Sequence, residues 1–184
     1  AADMYGDQKV TTHAKDAKGW MQQITGSIDA WQHRAGLGLA QLKASKLVDA
    51  DKLAAIGYCF GGATVAQMAY AGLDVRGVVS FHGSLPPASV EQVMDMQDAK
   101  QKPRVLVAHG DADPFIPAER ITAFKAALSE AGVDWEMDIY AGAKHGFTNP
   151  GAASFGMEAL AYDEKADERS WARMQVFFKE IFAD

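Results

Sequence analysis

Three short segments of this chain carry residue types that could do chemistry together. Gly57-Tyr58-Cys59-Phe60-Gly61-Gly62 holds the chain's single cysteine between glycines, in the pattern G-x-nucleophile-x-G. His109-Gly110-Asp111-Ala112-Asp113-Pro114-Phe115-Ile116-Pro117 holds two carboxylates close together. Gly142-Ala143-Lys144-His145-Gly146-Phe147 holds the last histidine. A thiol attacks a carbonyl carbon once a base takes its proton. An imidazole serves as that base when a carboxylate fixes its tautomer and orientation. Thiol, carboxylate and imidazole therefore form a set able to split an acyl bond through a thioester.

Cys59 has a bland reading, a small buried hydrophobe in a tight turn. Its surroundings favour the chemical one. An apolar run precedes it and a helical pattern follows, so the turn is a sharp strand-to-helix elbow whose flanking positions require glycine. The elbow also presents the side chain at a helix N-terminus, with the Phe60 N–H beside it as an oxyanion donor. Of the two carboxylates, Asp113 is preferred as the acid. Asp111 sits in the turn just after Gly110, where aspartate commonly accepts main-chain N–H groups. His145 is the expected base. His82 and His109 each end a strand and could approach the same pocket, but no HxxxH spacing or Cys/His pairing suggests a metal, and one cysteine cannot build a structural zinc cluster. Neither a metal nor a cofactor is expected.

These residues must be held by elements that the hydrophobic pattern outlines. The first third reads as helices, at 15–24 and from the N-cap candidate Ser27 towards Ser45. Short apolar runs then predict strands at 53–58, 75–81, 104–108 and 135–140. Helical stretches are predicted at 63–71, 89–100, 117–131 and 170–182, the last with Trp171, Met174, Phe177, Phe178 and Ile181 on one face. This alternation predicts an α/β fold with a parallel sheet flanked by helices. Ligands of such sheets bind beyond the carboxyl ends of the strands, where Cys59, His82, Asp113 and His145 all fall. The segment from Phe147 to Leu160 reads either as a flap or as a connection. Trp20 could line a pocket or fill a core.

Composition narrows the function classes. The chain has 184 residues, 48% of them apolar, and a formal charge of −6. That suits one globular domain over 1–184. An acidic chain without Lys/Arg runs is a poor partner for nucleic acid. No apolar stretch approaches the roughly 20 residues that span a bilayer. A cytoplasmic setting is expected, and oligomeric state is not readable.

The elbow Gly57-Tyr58-Cys59-Phe60-Gly61-Gly62, the loop carrying Asp113 and His145-Gly146-Phe147 together resemble the dienelactone hydrolase family of α/β hydrolases. Ala2-Asp3-Met4-Tyr5-Gly6 resembles that family's Pro-Asp-Leu-Tyr-Gly segment, so the likeness covers essentially the whole chain. The resemblance implies a doubly wound parallel sheet and a catalytic set of Cys59, Asp113 and His145. It also implies hydrolysis of enol lactones or other esters without cofactor or metal. Three departures bear on the substrate. The family's segment before this opening, with its further strands, a glutamate that contacts the cysteine and a second oxyanion donor, has no counterpart here, so the chain is expected to be N-terminally incomplete. Phe147, Thr148 and Asn149 stand where those enzymes place a basic residue for a substrate carboxylate. No Arg/Tyr pair near Trp20 replaces it. Two other classes remain open: a redox-active thiol protein, as sensor or peroxidase, and a non-catalytic binding domain.

Overall fold

A computed structural model describes residues 1–99 and 101–183 of the chain. Two compact units divide it, Ala1–Ala50 and Asp51–Asp184.

The first unit holds helices α1 (Ala14–Thr25) and α2 (Ile28–Lys43). Ser27 caps α2 as its type predicts, its Oγ accepting the Ala30 N–H at 3.3 Å. Asp3 gathers the opening segment by accepting the N–H groups of Gly6 and Gln8, each at 2.8 Å. Arg34 donates to the Met4 carbonyl at 3.1 Å. Trp20 packs its ring 5.6 Å from that of Tyr5, inside the same unit.

In the second unit, strands β1 (Ala54–Tyr58), β2 (Gly77–Phe81), β3 (Arg104–Gly110) and β4 (Trp135–Tyr140) alternate with helices α3 (Phe60–Tyr70), α4 (Val90–Asp98), α5 (Ala118–Glu130) and α6 (Glu164–Ile181). All neighbouring strands are parallel, in the order β1-β2-β3-β4. Parallel neighbours need a crossover, and the intervening helices supply it. Every residue of β2 is buried, as expected of a strand covered on both faces. Gly62 of α3 lies against Ser80 on one face. On the other, Val79, Phe81, Leu106 and Ala108 form a core with Met174, Phe177 and Ile181 of α6. The fold is the predicted α/β class, with helices on both sides of a parallel sheet.

Several element boundaries differ from expectation, among them those of three helices. Helix α6 starts at Glu164 rather than Ser170, because the Asp163 side chain accepts the Ala166 N–H at 3.0 Å and caps the helix there. Its first turn is polar and acidic, which suits a helix N-terminus but hides the amphipathic pattern. Helix α3 starts at Phe60, directly after Cys59, rather than at Ala63. Helix α4 ends at Asp98, and Lys100, the last residue of its expected span, lies outside the described residues. Ser89 and Gln92 form a reciprocal capping box at its start.

The segment after His145 is a pinned connection. Ala161 N–H donates to the His145 carbonyl at 3.2 Å, and Asp163 N–H to the Phe147 carbonyl at 3.0 Å. A short 3-10 turn, Ala152–Phe155, lies between. Among the described residues, no helix is long and apolar enough to cross a membrane.

Candidate active site

Cys59 is the one residue between the end of β1 and the start of α3. The chain reverses so sharply there that Cys59 takes φ 53° and ψ −118°, a strained conformation for a residue with a side chain. Two glycines make the turn possible. A Cβ on Gly57 would stand 2.0 Å from the Gly61 carbonyl oxygen. One on Gly62 would stand 2.7 Å from Ser80 Oγ and 2.9 Å from Gly83 Cα. The steric demand does not extend to Gly61, where a Cβ would meet nothing within 4 Å. The thiol that results is half-buried rather than sealed in.

The acid and base loops follow adjacent strands, and main-chain bonds lace them together. Asp111 N–H donates to the Tyr140 carbonyl and Ala112 N–H to the Ala143 carbonyl, each at 3.0 Å. Gly110 allows this approach, since a Cβ there would lie 2.4 Å from the Ala143 oxygen. The lacing brings Asp113 Oδ2 to 2.8 Å from His145 Nδ1. His145 Nε2 in turn lies 2.8 Å from Cys59 Sγ. With Nδ1–H donated to the carboxylate, Nε2 is left to accept the thiol proton. Asp111 stays exposed, so the structure brings Asp113 and not Asp111 to the histidine.

Electrostatics follow from these contacts. Burial opposes ionisation of Asp113, but hydrogen bonds from His145 and from the Phe115 N–H hold it below the usual carboxylate range. Burial likewise opposes an imidazolium at His145, and hydrogen bonds to Asp113 and Cys59 outweigh it, pushing the group up to about 9. Phe115 sets its ring edge-on to His145 with centroids 5.1 Å apart.

His82 has a larger part in the site than its position after β2 announced. The residue is 2% exposed, and its Nδ1 accepts the Cys59 N–H at 3.3 Å, a hydrogen that Cys59 shares with the Phe81 carbonyl at 3.1 Å. The other nitrogen, Nε2, therefore carries the hydrogen and donates to Thr148 Oγ1 at 2.8 Å. Burial, reinforced by the neighbouring His145, pushes His82 down to about 4 and keeps it neutral. Cys59, His82 and His145 each offer a ligand atom within 4.8 Å of the others. The ring nitrogens of both histidines are already spent on Cys59, Thr148 and Asp113, however, so the cluster is built as a hydrogen-bond chain rather than an open ligand set. His109 is no link in this chain, although it senses the charges of Asp113 and His145: it is buried, and its Nδ1 has no hydrogen-bond partner among the described residues.

Comparison with known proteins bears directly on this arrangement. The model of the dienelactone hydrolase family matches residues 1–182. The chain belongs to the dienelactone hydrolase family. Membership places it among hydrolases with the α/β-hydrolase fold. Within the family's wider circle, a crystal structure of a dienelactone hydrolase-like promiscuous phosphotriesterase from metagenomic libraries superposes with a TM-score of 0.91 at 38% identity, covering 98% of this chain and 73% of that one. An uncharacterized protein of Caenorhabditis elegans is 34% identical over 82% of this chain and 93% of its own length. A carboxymethylenebutenolidase candidate of Yersinia pestis is 28% identical over 71% of this chain, which spans 47% of that protein.

Proposed function

We propose that this dienelactone hydrolase family member cleaves carboxylic esters or lactones without a cofactor, with Cys59 as nucleophile, His145 as general base and Asp113 as the group that orients it. The single observation that carries the reading is the unbroken chain from sulfur to carboxylate, 2.8 Å at each link. A redox thiol needs no such relay, and a binding domain needs no strained elbow at its centre.

Each step balances. His145 Nε2 takes the Cys59 proton, as its raised proton affinity favours, and the thiolate so formed bonds to the carbonyl carbon as the π electrons move to oxygen. The Phe60 N–H, first in α3, is the donor this reading assigns to that developing oxyanion, where one donor is typically worth about 10²–10³ in rate. The C–O bond then breaks, the leaving alcohol or enol takes the proton from Nε2, and a thioester remains. Water gives a proton to Nε2, attacks the thioester, and returns the electron pair to sulfur as the acid departs. A thiolate leaves readily, so activated esters and enol lactones suit the site best. The phosphotriesterase named for the 38%-identical neighbour makes an aryl phosphotriester a second probe of the same sulfur.

The test is turnover of p-nitrophenyl acetate by the wild type, Cys59→Ala and His145→Ala. Loss of about 10⁴-fold or more is expected for Cys59→Ala and a similar collapse for His145→Ala, with an acylated Cys59 trapped by mass spectrometry in the wild type. Undiminished turnover by Cys59→Ala would remove the proposed mechanism.

A further inference from the structure

We propose that His82 is a positioning residue, a neutral two-ended hook that holds the nucleophile's main chain with one ring nitrogen and the loop of the base with the other. The proposal rests on the reading of Cys59 and His145 as nucleophile and base.

The geometry requires a side chain with an acceptor at one end and a donor at the other. Nδ1 accepts from Cys59 N–H at 3.3 Å, and Nε2–H donates to Thr148 Oγ1 at 2.8 Å. Imidazole provides both on one rigid ring, whereas an amide side chain reaches only one of the two places. The backbone of His82 itself is bent to the task, with φ 40° at a residue that has a side chain. Parallel pairing explains the placement. Tyr58 pairs with Phe81, so the residues that follow each strand, Cys59 and His82, emerge side by side.

Thr148 gives the hook its purpose. It follows His145 closely on the same loop, so that loop is anchored at two points. Asp113 holds the imidazole itself, and His82 holds the chain just beyond it. The ring of His82 also meets those of His145 and Phe147 edge-on, with centroids 5.3 and 5.1 Å away. The two sides of the Sγ–Nε2 contact thus share one buried support. The hook works as a neutral group: a second imidazolium beside His145 would oppose the charge that His145 carries once it holds the thiol proton. The titratable groups facing His82 are His145, whose charge disfavours protonation, Asp113, whose charge favours it, and Cys59 and Tyr58 beside its ring.

A misplacement of about 1 Å in a reacting pair costs on the order of 10²-fold in rate. Severing one end of the hook should therefore lower kcat while leaving substrate binding in place. The experiment measures kcat and KM for p-nitrophenyl acetate with Thr148→Val, Thr148→Ser, His82→Asn and the double variant His82→Asn/Thr148→Val. Thr148→Val and His82→Asn should each lower kcat about 10-fold with KM changed less than about 2-fold, and Thr148→Ser should restore it. Because both changes remove the same bond, the double variant should be no slower than His82→Asn alone. Full kcat in Thr148→Val, or losses that multiply in the double variant, would overturn the proposal. Thr148→Val keeps size and fold, so the test survives even if His82 variants are unstable. A dead Cys59→Ala beside a fully active Thr148→Val would sink the hook alone, whereas an active Cys59→Ala would sink the underlying mechanism.

Discussion

Asp113 and Phe115 are separated by one proline, and the carboxylate of the first accepts the main-chain N–H of the second at 2.9 Å. Pro114 has no N–H to compete for that oxygen. The loop thereby ties down one oxygen of a side chain that is wholly buried and leaves the other for His145. Asp113→Asn separates these two duties. The amide oxygen can keep the Phe115 bond and hence the loop. Its NH₂ can only donate to Nδ1, which forces the hydrogen onto Nε2 and blocks acceptance of the thiol proton. A loss of about 10³–10⁴-fold in kcat is expected with the fold retained. The His145 titration, followed by NMR, should fall from about 9 towards 6.5. A variant within a few fold of wild type would mean that the carboxylate is only a turn residue.

The three glycines of the elbow are not equivalent. Gly61→Ala introduces a methyl with no neighbour within 4 Å inside α3. It should raise stability by about 0.5–1 kcal/mol through the better helix propensity of alanine. Gly62→Ala drives a methyl into Ser80 and the Gly83 main chain, and should cost about 1–3 kcal/mol. Urea unfolding of the two variants gives opposite signs if the elbow packs as described, and equal signs if it does not.

Much of this site was legible because its chemistry is written locally. Cys59 stands in a glycine-framed motif, and Asp113 and His145 each follow a strand in the order that brings them together. Asp113 could be singled out over Asp111 from loop position alone, and it is Asp113 whose carboxylate lies against His145. His82 was visible only as one of two strand-end histidines. Choosing between it and His109 required the strand register, which sets His82 beside Cys59 and keeps His109 within β3, opposite Ile139. The start of α6 escaped notice because its first turn is acidic and buries only Ala166, so periodicity begins where the aromatics do. Gly61 misled for a different reason. A motif records which residue stands at a position, not which atoms would clash with another.

Gly110 links the acid and base loops, and its replacement tests the lacing between them. A Cβ at this position would lie 2.4 Å from the Ala143 oxygen, the same atom that accepts the Ala112 N–H. The atoms that the Cβ would meet, Ala143 O and C and Lys144 O, are all main chain, so the loops must part. Gly110→Ala should lower kcat/KM by about 10²-fold and weaken the Asp113–His145 hydrogen bond, read as loss of the low-field Nδ1 proton signal. Retention of that signal with full activity would show that the loops do not depend on each other.

Stability should fall on both sides of neutral pH, for opposite reasons at two histidines. In the unfolded chain both titrate near 6.5. The fold raises His145 to about 9, so it favours the protonated form there. That contribution is complete below 6.5 and is lost as pH rises through 9. The fold lowers His82 to about 4, so it favours the neutral form there. That contribution is complete above 6.5 and is lost as pH falls through 4. Each is worth roughly 3 kcal/mol at most. Urea unfolding from pH 4 to 9 should show the alkaline decline in wild type and His82→Asn but not in His145→Gln. The acid decline should persist in His145→Gln, reduced because an imidazolium at position 145 helps to depress His82, and should shrink in His82→Asn. An acid limb of unchanged size in His82→Asn would mean that His82 is not held neutral by burial.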